Sequence, residues 1–362
     1  MVAQVERLAA RARSIVRVLV VDDSAFMRYV ISKELSADPA IEVAGAARDG
    51  MDALEKIAQL RPDVVTLDLE MPRMDGLTAL ETIMDEIPVP VILLSSLSQE
   101  GASVTIRGLE LGAVDFVPKP PPIHASSSRS TWEQLLAKVK GAAGLDVRRL
   151  RARVRGASRR VARQTLPARG DRRVGKLVVL GSSTGGPRAL FDVVPRLPAD
   201  LPAALLVVQH MPAGFTRSLA ARLNEVARLE VREAVDGDEI KGGLALVAPG
   251  DYHMAVRRGG MVSLDKSPPI HGVRPAVDVT MESAASVYGA ATIGVVLTGM
   301  GSDGTRGALS IKRAGGTVIA EDESTCVVYG MPRCVREAGA ADRIVRLNRV
   351  ADAIVQLIGA AE

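Results

Sequence analysis

Residues 16–38, VRVLVVDDSAFMRYVISKELSAD, pass from a short, mostly apolar run into an amphipathic stretch, and two aspartates mark the crossing. The alternation continues outward from there. IEVAGAA (41–47) is followed by MDALEKIAQL (51–60), DVVTLDL (63–69) by GLTALETIMDE (76–86), and VPVILLSS (89–96) by VTIRGLELG (104–112), before AVDFVPKP (113–120). Strands and helices taking turns predict a parallel sheet covered on both faces, an α/β domain over residues 15–122. Chemistry in such sheets collects at the C-terminal edge of the strands. The polar groups that fall there are Asp22 and Asp23, then Asp68, then Ser95, then Lys119.

Three carboxylates at one edge repel one another unless a cation neutralises them, and oxygen ligands of this kind suit Mg²⁺ with a substrate phosphate. Lys119 adds a point positive charge for the same oxygens. Any one of these aspartates alone would read as a helix cap or loop residue; the ordered set does not. With LDLEMPRMDGL (67–77) and VPKP (117–120), the segment resembles the response-regulator receiver domain over nearly all of 15–122. That resemblance implies a doubly wound five-stranded parallel sheet in which Asp68 is phosphorylated by a sensor histidine kinase. It implies that Asp22, Asp23 and Asp68 bind Mg²⁺ together with the backbone carbonyl of Glu70. It also implies that Ser95 and Lys119 sense the phosphate and that Phe116 is the aromatic that shifts on activation. A phosphoryl group adds roughly −1.5 to −2 charge at one sheet edge, enough to bias nearby loops between two arrangements.

A second strand, turn and helix follow in KLVVLGSSTGGPRALFDVV (176–194). Gly181 to Gly185 fit G-x-S-x-G, a sharp turn that presents the hydroxyl of Ser183 above a parallel sheet. A phosphate-cradling loop is the rival reading; it lacks both G-x-G-x-x-G and a Gly-Lys-Ser/Thr ending. A serine nucleophile needs a base, and there are four histidines. His124 falls in a linker, His253 in APGDYHM and His271 in SPPIHGVRP, whereas His210 ends the strand-like PAALLVVQH. For the orienting carboxylate, Asp303 closes AATIGVVLTGMGSDG, a third buried strand running into a glycine-rich turn. Asp278, in RPAVD, and Asp322, in the acidic AEDEST turn, compete with it, but Asp303 alone follows a long buried strand that ends in a flexible turn and is the residue expected to orient the base. Met300 is placed to lend a backbone N–H to an oxyanion.

The order Ser, His, Asp differs from the α/β-hydrolase order of Ser, Asp, His. The stretches GSSTGGP, QHMPAGFT, APGDYHM, RPAVD, LTGMGSDG and VIAEDESTCVVYGMPR resemble instead the catalytic domain of the CheB-type chemotaxis methylesterases, which follows a receiver in that family. The resemblance implies a mainly parallel α/β/α domain over 176–362, with Ser183 as nucleophile, His210 as base, Asp303 as orienting acid and Met300 as oxyanion donor. It implies hydrolysis of glutamyl γ-methyl esters on methyl-accepting chemoreceptors, deamidation of receptor glutamines, and no cofactor for the ester chemistry. It further implies that phosphorylation of Asp68 relieves occlusion of the active site by the receiver.

Composition frames these readings. The 362 residues are enough for two cores and carry a net +4. Residues 121–175 hold twelve Arg and two Lys against three acids, so the basic balance belongs to one stretch and the remainder is acidic. That stretch, 123–175, reads as a solvated linker; a contact with nucleic acid or another acidic surface is the alternative. Nine aromatic residues make a base-stacking platform improbable, and no helix-turn-helix pattern is evident. Two cysteines fit a reducing compartment. The longest apolar runs fall short of a membrane span, and residues 1–14, read as a tail, lack a signal-peptide core. A cytoplasmic enzyme is the expectation; a receiver-controlled nucleic-acid binder and an inert docking module are the alternatives.

Overall fold

The computed structural model describes residues 15–119, 128–143, 145 and 175–359. Residues 1–14, His124 and the Arg-rich run of the expected linker lie outside the described residues. The chain divides into two compact units.

In the first unit five strands, β1 (Val16–Val21), β2 (Ile41–Ala47), β3 (Val64–Asp68), β4 (Val91–Ser95) and β5 (Asp115–Pro118), form one sheet in the order β2-β1-β3-β4-β5. Every pairing is parallel. All five residues of β3 and of β4 are buried, as the continuous apolar runs require when both faces are covered. The connecting helices are α1 (Ala25–Ser36), α2 (Gly50–Leu60), α3 (Gly76–Glu86) and α4 (Gln99–Leu111). Each starts where a short polar side chain accepts an otherwise orphaned N–H. Ser24 accepts from Met27, Asp49 from Asp52, Asp75 from Thr78 and Ser98 from Gly101. Gly76 has a steric duty as well, because a Cβ there would lie 2.2 Å from the carbonyl oxygen of Asp68.

The linker expectation is corrected over part of its length. Ser128–Ala142 is a helix, α5, and it belongs to this unit. Leu135, Val139 and Ala142, spaced i, i+4, i+7, are buried. Lys138 donates to the carbonyl of Phe116 at 2.7 Å and pairs with Asp115 at 3.2 Å. The stripe is three residues wide, and the arginines beyond it mask it when 123–175 is read as one window. The unit therefore continues at least to Ala142 rather than ending at 122. Leu135→Ala is expected to lower the stability of this unit by about 2–5 kcal/mol in denaturant unfolding. A change below ~0.5 kcal/mol would mean that α5 does not pack as described.

The second unit is built on seven parallel strands: β6 (Lys176–Ser182), β7 (Ala203–Gln209), β8 (Glu230–Glu233), β9 (Leu244–Val247), β12 (Thr292–Val296), β13 (Thr317–Glu321) and β14 (Arg343–Val345). Their order is β14-β13-β12-β6-β7-β9-β8. An antiparallel hairpin, β10 (His253–Arg257) with β11 (Met261–Asp265), stands apart from the sheet. Helices α6 (Gly186–Val193), α7 (Phe215–Val226), α8 (Val277–Tyr288), α9 (Thr305–Arg313), α10 (Met331–Glu337) and α11 (Leu347–Gly359) complete the unit. The chain leaves β6 for β7 on one side and later returns to β12 on the other. The ends of these three adjacent strands thus surround a topological switch point, where open parallel sheets leave a crevice. Among the described residues, no helix is long and apolar enough to cross a membrane.

Candidate active site and phosphoacceptor site

At the edge of the first unit, Asp22 and Asp68 are buried while Asp23 is exposed, and their carboxylate oxygens come within 4.8 Å of one another. The Lys119 ammonium lies 2.7 Å from Asp68 Oδ2 and 3.4 Å from Asp22 Oδ2. Neither of these two buried oxygens accepts a well-directed hydrogen bond. Burial pushes the Asp68 carboxyl up to about 6 against the opposing pull of Lys119, and burial raises Asp22 in the same way. Burial works to lower Lys119, but the two carboxylates outweigh it and hold the amine above its ordinary value. Clustered, under-bonded oxygens beside a single cation are a donor set that fits a divalent metal of the Mg²⁺ type.

The surrounding groups are less ready. Glu70 donates its N–H to Asp68 Oδ1 at 3.2 Å, and its side chain accepts from Ser96 Oγ at 3.0 Å. Ser95 reaches the rim, yet its hydroxyl is engaged elsewhere: it accepts from Thr105 at 2.5 Å and donates to the carbonyl of Ser96 at 3.1 Å. Phe116 is buried beneath the Lys138 ammonium, 5.3 Å from the ring centre.

In the second unit, Ser183 immediately follows β6. Its N–H donates to the carbonyl of Thr298 at 3.1 Å, across to the loop that leaves β12. The turn closes because Gly185 adopts φ +77°, and a side chain there would also meet Val327. His210 follows β7, with its N–H on the carbonyl of Ser182 at 3.1 Å. Its Nε2 lies 2.8 Å from Asp303 Oδ2. An ionised carboxylate only accepts, so Nε2 carries a proton, and it is in the neutral imidazole that Nδ1 offers a lone pair. Among the described residues, neither His210 Nδ1 nor the Ser183 hydroxyl has a hydrogen-bond partner.

Asp303 is buried and receives four donors. Val277 N–H and His210 share Oδ2, at 2.7 and 2.8 Å; the N–H groups of Asp278 and Gly304 share Oδ1, each at 2.9 Å. Burial alone would raise this carboxyl, but His210 and the backbone donors overcome it and hold the group below its ordinary value. Asp303 therefore also caps the N-terminus of α8. Close packing of that helix makes this possible, since a Cβ on Gly181 would lie 2.4 Å from Val277 Cγ1.

The competing residues serve elsewhere. Asp278 accepts from Gly307 N–H at 2.8 Å and faces Arg306 and His271. Asp322 stays in its turn, accepting from Ser324 N–H at 3.0 Å. His253 is buried, accepts from Ala276 N–H at Nδ1 and turns Nε2 to the carbonyl of Pro268, as a core histidine does.

Met300 sits beside Ser183, because its neighbour Gly299 is pressed against the serine: a Cβ on Gly299 would be 2.8 Å from Ser183 Cβ. Among the described residues the Met300 N–H donates to no protein acceptor, and its side chain is exposed. The loop is fixed by residues the sequence reading did not single out. Glu321, fully buried, accepts from Thr298 N–H at 2.8 Å, and the Thr298 hydroxyl donates to the carbonyl of Thr184 at 3.0 Å. A buried acid at the end of β13 was the available signal, obscured by the acidic run that follows it.

Comparison with known proteins places these two edges in context. Residues 178–354 match the family described as CheB methylesterase, and residues 18–125 match the response regulator receiver domain. A protein-glutamate methylesterase/protein-glutamine glutaminase of Symbiobacterium thermophilum is 53% identical over 97% of this chain and 99% of the relative. One of the same description from Pyrococcus abyssi is 48% identical over 95% and 94%. The crystal structure of the Thermotoga maritima CheB methylesterase catalytic domain is 52% identical and covers 51% of this chain and 100% of its own, with a TM-score of 0.50.

Proposed function

The chain belongs to the protein-glutamate methylesterase/protein-glutamine glutaminase family, and from that membership we propose that Ser183, His210 and Asp303 perform the hydrolysis. The observation that carries this reading is the His210–Asp303 pair at 2.8 Å beside the Ser183 turn at the sheet's switch point. Ser183 Oγ attacks the glutamyl γ-ester carbonyl while His210 Nδ1 takes its proton. The oxyanion is met by the Met300 N–H. The tetrahedral adduct collapses, breaking the C–O bond; the imidazolium returns the proton to the methoxide and methanol leaves. Water, deprotonated by the same nitrogen, then cleaves the acyl-serine to the glutamate carboxylate. With a glutamine side chain the same attack expels ammonia. Asp303, ionised and held by three backbone donors, stabilises the imidazolium throughout. The chemistry needs only these side chains and water.

The receiver places the activity under phosphorylation control by a histidine kinase phosphodonor. The phosphoacceptor is Asp68, and Asp22, Asp23, Asp68 and the carbonyl of Glu70 would hold a Mg²⁺ ion, which when bound would supply positive charge to offset that of the phosphoryl group. Lys119 then has a phosphoryl oxygen to pair with, and Ser95 must give up its contacts at α4 to reach one. The substrate proteins are methyl-accepting chemoreceptors, and the enzyme acts on them from the cytoplasm. Neither a nucleic-acid-binding reading nor an inert docking reading draws support from the site.

Methanol release from methylated receptor, with and without a small phosphodonor, tests both halves. Asp68→Asn should abolish the stimulation and leave the unstimulated rate within about twofold, since the substitution lies in the other unit. Stimulation that survives in Asp68→Asn would move the phosphoacceptor elsewhere; no methanol release under any condition would refute the esterase assignment.

A further inference from the structure

Gln209, the last residue of β7, is buried between the two strand ends that present Ser183 and His210. Its Nε2 donates to the carbonyl of Ser183 at 3.0 Å and to the carbonyl of His210 at 3.2 Å. Its Oε1 accepts from the hydroxyl of Ser182 at 2.7 Å. One planar amide thus grips the backbone of both residues at once, and the two carbonyls fix which way it faces, since they only accept and require the NH₂ there; the Ser182 hydroxyl then donates to the oxygen left on the other side. The neighbouring glycine is shaped around it, since a Cβ on Gly186 would fall 2.0 Å from Gln209 Oε1 and 2.8 Å from Ser182 Oγ. Gly186 N–H also donates to the carbonyl of Ser183, at 2.7 Å.

We infer that Gln209 is a positioning residue for the hydrolysis: its side-chain amide sets the spacing and direction of the Ser183 hydroxyl and the His210 imidazole. This rests on the reading of Ser183 and His210 as nucleophile and base. The physical reason is that the serine and the histidine each come directly after the last residue of a strand, so strand pairing ends where accurate placement is needed. Displacing a reacting group by about 1 Å costs on the order of 10²-fold in rate. No isosteric side chain offers the same donors: leucine offers none, and a carboxylate sets oxygen against two carbonyl oxygens.

The test uses the full-length protein with methylated receptor as substrate and a fluorophosphonate as a probe of the serine. Gln209→Leu and Gln209→Glu should lower kcat by about 10²-fold with KM changed less than about threefold, and should slow fluorophosphonate labelling by a similar factor. Ser182→Ala, which takes away the one side-chain donor to Gln209 Oε1 and loosens the amide's hold, should lower kcat by about tenfold; it keeps the inference testable if the Gln209 variants fail to fold. A readout specific to positioning is pH. The activity of Gln209→Glu relative to the parent at the same pH should recover as pH falls, because a protonated carboxyl can donate again to one carbonyl, whereas that of Gln209→Leu should not. Folded Gln209→Leu with kcat within threefold of the parent would overturn the inference, as would flat pH ratios for both variants. Ser183→Ala separates the two readings. If it retains turnover, the nucleophile assignment fails; if it is inactive while the Gln209 variants remain fast, only the role of Gln209 fails.

Discussion

Ser183→Ala is expected to remove methanol release from methylated receptor almost completely, by at least ~10⁴-fold in kcat, while phosphorylation of Asp68 proceeds unchanged. The expectation follows from how the triad divides its labour. Without the hydroxyl no acyl intermediate forms, and His210, Asp303 and the Met300 N–H are left with an ester and a water that nothing places for attack. Serine hydrolases stripped of the nucleophile keep only the modest catalysis of binding and oxyanion stabilisation. The substitution should be almost silent for folding. The hydroxyl has no hydrogen-bond partner among the described residues, so its removal strands no buried donor or acceptor. A melting temperature within about 2 °C of the parent is the accompanying result. Ester turnover within tenfold of the parent would show that another group performs the attack.

Asp303→Asn is expected to lower kcat by about 10³–10⁴-fold and, unlike the serine change, to destabilise the second unit. Four donors converge on this carboxylate, two on each oxygen. An amide has one oxygen, so either orientation sets an NH₂ against two N–H donors. If the NH₂ faces His210, the imidazole must turn Nε2 into an acceptor and carry its proton on Nδ1, where the base should be. If it faces Asp278 and Gly304, two buried backbone donors lose their acceptor at about 1–3 kcal/mol each. A loss of roughly 2–4 kcal/mol in denaturant unfolding is expected from these terms. The pH dependence has a defined sign. Because the folded-state carboxyl sits below its ordinary value, Asp303 stabilises the fold fully above the ordinary carboxylate range. That contribution is lost as pH falls through the folded-state value. The asparagine variant should lack this part of the acid sensitivity, so its stability gap from the parent narrows toward low pH. A gap that stays constant from pH 7 to pH 3, or a kcat near the parent's, would remove Asp303 from the role given to it.

Much of the site was legible before any coordinates because parallel sheets expose function at one place. Ser183, His210 and Asp303 each follow a long apolar run at its C-terminal end, as do Asp22, Asp68, Ser95 and Lys119. Position along the chain could be converted to position on a sheet edge, and residue type then indicated the chemistry. The same logic chose Asp303 over Asp278 and Asp322, because Asp303 alone follows a long buried strand that ends in a flexible turn, but it gave no contact that makes the choice. That choice depends on how closely the start of α8 packs on Gly181, which aims two backbone N–H groups at Asp303 and turns Asp278 toward Arg306 and His271. Helix α5 was missed for a related reason. Leu135, Val139 and Ala142 make a stripe that has meaning only against the sheet, where Lys138 finds Asp115 and the carbonyl of Phe116.

By itself, the amino-acid order determined the alternation of strands and helices, the two sheet edges at which polar groups gather, and the family to which such edges belong. The first two follow from local periodicity and from which residues end each run, information carried within a few neighbours of every position; the family follows from the resemblance of motifs such as LDLEMPRMDGL, GSSTGGP and LTGMGSDG. The tertiary structure alone decided how closely Asp303 is held to His210, that the Ser95 hydroxyl is engaged by Thr105 and the carbonyl of Ser96, and that the amide of Gln209 bridges Ser183 and His210. Most of those are matters of ångström-scale distance between groups 10 to about 100 residues apart. The packing of helices on the sheet sets such distances, and no local pattern records them.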